Sequence, residues 1–133
     1  MVVVAIIGIL SAVAYPVYSN YIIRGSLADA NTGLSTLQAQ MERFYQDNRS
    51  YATTGTFISP CAANNSSLVF GKFTVSCSGT PSTTGYTLQA AGNGTVAGFT
   101  FTVNEAGVRA TTAAPSGWNT CTTKWLMKKG DTC

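Results

Sequence analysis

Residues 1–23, MVVVAIIGILSAVAYPVYSNYII, contain no charged side chain, and the run passes through Pro16 into a helix-patterned segment without a linker. β-branched Val2, Val3, Val4, Ile6, Ile7, Ile9 and Val13 fall on all sides of such a helix, so it has to be surrounded, by lipid or by sister helices. Its strictly apolar part, Met1 to Tyr15, falls short of the ~20 residues that cross a hydrocarbon core comfortably. Ala12-Val13-Ala14 has the small-x-small form of a signal-peptide cleavage site, but a lysine-rich start is missing and the helical pattern runs on past Pro16. Gly8 and Pro16 are weak points in the helix, Pro16 because it lacks the donor for the bond to residue 12.

From Leu27 the uniform apolarity becomes a stripe: Leu27, Ala30, Leu34, Leu37, Met41, Phe44 and Tyr51 recur at three- and four-residue steps. Asp29, Thr32, Thr36, Gln40, Arg43 and Asp47 fill the opposite side. This pattern predicts an amphipathic helix with one buried face, stopped in SYATTGT, Ser50 to Thr56. One helix from residue 1 to about 52 is roughly 78 Å long, against a radius of gyration of about 14 Å for a compact domain of this size. The helix therefore protrudes, dividing the chain into an apolar half, residues 1–26, and a head, residues 27–133.

The remainder reads as strands and turns. Leu68, Phe70, Phe73 and Val75 around Gly71 predict a short strand or hairpin ending at Cys77, after the Asn64-Asn65-Ser66-Ser67 turn cluster. Tyr86 to Ala90 restarts a strand, and Gly92-Asn93-Gly94 leads into another. Phe99 to Val103 alternates cleanly, turns through Asn104-Glu105-Ala106-Gly107 and returns as Val108 to Thr111, an antiparallel hairpin. Thr123 to Lys128 is a last candidate strand. Strands grouped after one long helix give an α+β fold, the helix covering an antiparallel sheet of about four strands.

Charged residues make up only 10% of the 133, where soluble domains usually hold about 25%, so the surface is neutral and hydroxyl-rich. A net charge of +3 is too mild to define a nucleic-acid binder by itself. With no histidine there is no Ser-His or Cys-His pair and no imidazole ligand, and Asp29, Glu42, Asp47, Glu105 and Asp131 belong to different elements. The expectation is a chain without enzyme activity and without a cofactor. Cys61, Cys77, Cys121 and Cys133 lack metal-ligand spacing and point to two disulfides formed outside the cytoplasm. Three connectivities are open, of which Cys61–Cys77 with Cys121–Cys133 closes the shortest loops and is preferred.

Two features suit recognition. Lys124, Lys128 and Lys129, in the loop before Cys133 and beside Trp118 and Trp125, form a basic-aromatic cluster fit for nucleic-acid phosphates and bases. The rival reading is an edge strand guarded by lysines. On the first, binding is lost when the three lysines become alanine and kept in Arg109→Ala. Asn64 and Asn93 lie in N-x-S/T sequons, read as turns.

These residues resemble a bacterial type IV pilin. The likeness lies in MVVVAIIGIL, Met1 to Leu10; in AYPVY, Ala14 to Tyr18; in GFTFTVN, Gly98 to Asn104; in GVRAT, Gly107 to Thr111; and in the terminal W-x-x-x-x-G-x-x-C, Trp125 to Cys133. Family members carry Phe-Thr-Leu-Ile-Glu-Leu ahead of the stretch matched here, so a glutamate is expected two positions before Met1 and is taken to be omitted from this sequence.

The resemblance implies a pilin fold with a disulfide-closed carboxyl-terminal loop. It also implies a structural subunit, anchored in the inner membrane and then polymerised by an assembly machinery into an extracellular filament of identical copies. The filament core would be Val3, Ile6, Ile7, Ile9, Leu10, Val13 and Val17. Adhesion, twitching motility and DNA uptake are the implied roles. Alternatives are a minor pilin that binds DNA or a surface through the Cys121–Cys133 loop, and a pseudopilin of a type II secretion system.

Overall fold

The computed structural model describes residues 1–62 and 67–133. The Asn64 sequon and most of its turn cluster lie outside the described residues. A single helix, α1, runs from Val2 to Asn48 through both Gly8 and Pro16, a length of about 70 Å. It ends before the expected stop because Arg49 adopts the left-handed conformation at φ 56° and returns its N–H to the Tyr45 carbonyl at 2.7 Å. A non-glycine residue there is held against its own steric preference. Burial begins only at Leu27 and continues through Ala30, Gly33, Leu34, Leu37 and Met41. Every residue before Ser19 is exposed in the isolated chain, and α1 is long and apolar enough to cross a membrane.

Five strands, β1 (Leu68–Phe70), β2 (Phe73–Cys77), β3 (Thr87–Gly92), β4 (Thr100–Asn104) and β5 (Arg109–Ala113), form one antiparallel sheet in sequential order. The count exceeds the expected four because Gly71, at φ 55°, folds Leu68 to Cys77 into a hairpin in which Phe70 pairs with Phe73. A Cβ on Gly71 would also meet the Asp29 carboxylate, which would have to swing aside, while the positive φ itself favours glycine. Gly92-Asn93-Gly94 does not lead directly into a strand: a single 3₁₀ turn, Gly94–Val96, intervenes and buries Val96. Thr123 to Lys128 is not a strand. Only the isolated pair Thr111 and Cys121 bridges β5 to the tail, and the lysine-guarded edge strand has no counterpart there.

The core forms where the α1 stripe meets the inward positions of the sheet, Phe73, Val75, Leu88, Ala90, Phe101 and Val103. Gly33 permits the approach, since a Cβ there would lie 2.6 Å from Val75 Cγ2 and 2.7 Å from the Phe70 ring. Disulfides join Cys61 to Cys77 and Cys121 to Cys133. The first ties the loop after α1 to the end of β2, and the second closes the carboxyl-terminal loop.

Glu42 is the polar pin of the interface. It accepts hydrogen bonds from Tyr51 Oη at 3.0 Å and Tyr86 Oη at 2.9 Å, tying α1 to the loop after it and to the approach to β3. Burial, then the hydrogen bond to Glu42 and its negative charge, push the Tyr51 phenol up from 10.0 to about 12, and Tyr86 rises for the same reasons. The fold thus favours both neutral phenols. This stabilisation is fully present below pH 10.0 and is lost as pH rises through the folded-state value of about 12. The urea midpoint is expected to fall from pH 10.0 upward, and to fall less in a Tyr51→Phe, Tyr86→Phe chain. An equal fall in both chains would contradict this.

Candidate nucleic-acid interface

The carboxyl-terminal face is built on β5, one of the two edge strands of the sheet. Its middle residue, Thr111, is buried and acts as the staple. Its N–H donates to the Cys121 carbonyl at 2.7 Å, and its carbonyl accepts from Cys121 N–H at 3.0 Å. Its hydroxyl donates to the Lys124 carbonyl at 3.2 Å and accepts from Leu126 N–H at 2.8 Å. Leu126 is buried below this staple, so the loop is pinned at its centre by an apolar plug as well as at its ends by Cys121–Cys133. Asn119 Nδ2 donates to the Asp131 carbonyl at 2.8 Å, and Asp131 N–H to the Lys128 carbonyl at 3.1 Å, which fixes the turn through Gly130.

That backbone carries Lys124, Lys128 and Lys129 as exposed side chains. Lys124 Nζ lies 3.6 Å from Asp131 Oδ1, the only ion pair among the described residues, and Lys129 lies over Gly117. The two tryptophans are placed differently from a free stacking platform. Trp118 packs edge-on against Phe99, centroids 4.8 Å apart. Trp125 is half-buried and donates its indole N–H to the Thr102 carbonyl at 2.7 Å.

Arg109 lies in the same cluster, its guanidinium 4.4 Å from the centre of the Trp125 ring. It therefore cannot serve as the control outside the basic face that sequence reasoning made of it, because the loop folds back onto the first residue of β5. Charge position along the chain carried the signal that was missed. Arg24, Arg43, Arg49 and Lys72 are matched in number by Asp29, Glu42, Asp47 and Glu105, and those eight cancel. Arg109, Lys124, Lys128 and Lys129 face Asp131 alone, so the entire net charge of +3 comes from residues 109–131.

The other residues expected to be functional lie elsewhere. Val3, Ile6, Ile7, Ile9, Leu10, Val13 and Val17 are exposed on the projecting half of α1, far from the head. Asn93 is exposed on the turn after β3, its side-chain amide donating to Thr74 Oγ1 at 3.0 Å. Among the described residues no group of three or more His, Cys, Asp or Glu gathers to hold a metal. What the face offers is cationic contact with an extended anion.

A membrane-length apolar helix continuing into an amphipathic half on an antiparallel sheet, with a disulfide-closed loop at the sheet's edge, defines the type IV pilin class. Residues 16–123 match a family model described as type IV minor pilin ComP, DNA uptake sequence receptor, and the chain belongs to that family. The match takes in Arg109, Trp118 and Cys121 and ends at Thr123, one residue before the first of the three lysines. Comparison with curated proteins and with solved structures returned no match. The family is one of structural pilus components.

Proposed function

We propose that this chain is a minor type IV pilin that binds duplex DNA through its carboxyl-terminal face, with Lys124, Lys128 and Lys129 contacting phosphates. The observation that carries the reading is the confinement of the whole net charge to residues 109–131, on a loop pinned by a disulfide, a buried threonine and a buried leucine. A loop fixed in this way orders the backbone that carries three cations before the ligand arrives, which removes part of the ordering cost of binding. The description of the matched family as a DNA uptake sequence receptor supports the same ligand.

The projecting half of α1 supports residence in the inner membrane, followed by transfer into a pilus by an assembly machinery. Its exposed side chains, Val3, Ile6, Ile7, Ile9, Leu10, Val13 and Val17, exchange lipid for sister helices at small hydrophobic cost. Gly8 and Pro16 are then the places where the helix gives way under that packing. On this reading the head is displayed outside the cell, where the disulfides persist. The family description favours a minor subunit over a bulk filament subunit or a secretion pseudopilin. Adhesion and twitching motility would follow only from incorporation into filaments.

Asp131 supplies the test. It is the single acid within residues 109–133 and holds Lys124. Asp131→Asn removes the charge, while its side-chain oxygen still accepts the Thr132 N–H bonded to Asp131 at 3.1 Å. The substituted chain should bind a random 20-base-pair duplex about fivefold tighter at 0.1 M salt, with a steeper salt dependence. Unchanged or weaker binding would remove DNA from this face.

A further inference from the structure

We propose that Arg109 is the base-reading residue of this face and that it recognises guanine in the major groove, the lysines supplying phosphate contacts without sequence information. The inference rests on DNA binding at the carboxyl-terminal face and assigns the division of labour within it.

Four cations share the face, but only one lies against an aromatic ring. Lys124, Lys128 and Lys129 end in compact ammonium groups on flexible stems, suited to phosphates whatever the sequence. Arg109 is stacked 4.4 Å from the Trp125 ring centre. The ring below it is itself anchored: Trp125 is tied to the Thr102 carbonyl at 2.7 Å, and the next residue, Leu126, is the buried plug. The backbone of Arg109 is equally fixed. It pairs with Val103 across β4–β5 and follows a turn closed by Gly107 N–H to the Asn104 carbonyl at 2.9 Å and by Val108 N–H to Asn104 Oδ1 at 2.9 Å.

The ring lies on one side of the guanidinium, and Arg109 is an exposed residue. Among the described residues no carboxylate is paired with it. The planar guanidinium fork is the donor pattern that matches O6 and N7 of guanine, the commonest specific contact in the major groove, and its contact with Trp125 restricts where it can reach. Its location suits that groove as well. Arg109 stands at the end of the β4–β5 hairpin on the sheet edge, and the groove, roughly 12 Å wide, admits a two-stranded ribbon.

The experiment uses the full chain in neutral-detergent micelles and a duplex library with a randomised core, with bound duplexes selected and sequenced. The intact chain should select at least one invariant guanine. Replacing that guanine with 7-deazaguanine, which keeps base pairing and removes N7, should weaken binding about tenfold. Arg109→Lys keeps the charge and the contact with Trp125 but loses the fork. The duplexes it selects should show no guanine preference, and its binding no response to 7-deazaguanine. A guanine preference retained by Arg109→Lys, or an intact chain that binds without preference, would overturn the role of Arg109 and leave DNA binding standing. An intact chain that binds no duplex at all would overturn both.

Discussion

A chain carrying Lys124→Ala, Lys128→Ala and Lys129→Ala should lose about 2.7 from the slope of log affinity against log salt, since each phosphate neutralised on duplex DNA contributes about 0.9. At 0.1 M salt that is a loss on the order of several hundredfold. The loop should survive the change. The bonds that hold it use the backbone of residues 124, 126 and 128 and the side chains of Thr111 and Asn119, none of which is altered. The one ion pair removed, Lys124 to Asp131, is solvent-exposed at both ends and contributes little. Fluorescence anisotropy of a labelled duplex across a salt series reads the slope directly. A slope that stays within experimental error of the intact chain would place the phosphates elsewhere on the head.

The second large effect is expected from opening the carboxyl-terminal loop. Cys121 and Cys133 are 12 residues apart, and a loop of that size is stabilised by about 3 kcal/mol through restriction of the unfolded chain. In a Cys121→Ala, Cys133→Ala chain the segment beyond Leu126 loses its covalent tie, leaving Lys128 and Lys129 on a backbone held mainly by Asn119 and the turn at Gly130. Two readouts should move together: thermal stability falls by that amount, and duplex affinity falls at least tenfold at 0.1 M salt as the cations lose their order. Cys61 and Cys77 join the loop after α1 to β2, away from the basic face. Removing that pair should cost similar stability while sparing affinity in the fraction that remains folded. Equal losses of affinity in the two chains would mean that the loop's order is not what binds.

The long helix was legible in the sequence because its signal is redundant: absence of charge over residues 1–23, then a stripe from Leu27 at helical spacing. The β4–β5 hairpin was legible from strict alternation through Phe99 to Val103. The helix end was not. Ser50 to Thr56 holds the obvious breaker, whereas the chain turns at Arg49, a residue with no preference for the left-handed conformation it adopts. Leu68 to Cys77 reads equally as one short strand or as a hairpin, because β1 has only three residues, too few to show a period.

At the candidate site the lysines could be read as a cluster because they are neighbours in sequence, and their tryptophans were visible with them. Arg109 was missed because it is fifteen or more residues from every lysine and reaches them only through the fold-back of the tail onto β5. The burial of Leu126 and the staple at Thr111 are equally tertiary. Thr123 to Lys128 offered alternation enough for a strand, but the single bridge between Thr111 and Cys121 and the two bonds to the Thr111 hydroxyl hold the segment in an irregular course instead.

The central claim, that this pilin meets DNA with residues 109–133, is tested most directly by titrating a duplex into the full, isotopically labelled chain in detergent micelles and following its amide resonances. The account predicts that shifts concentrate in the turn before β5, at Arg109 and through residues 118–131, including the Trp125 indole N–H, while β1, β2 and the 3₁₀ turn at Gly94–Val96 stay still. Shifts centred on the β1–β2 hairpin or on the loop around Phe57, with the carboxyl-terminal loop unmoved, would contradict it.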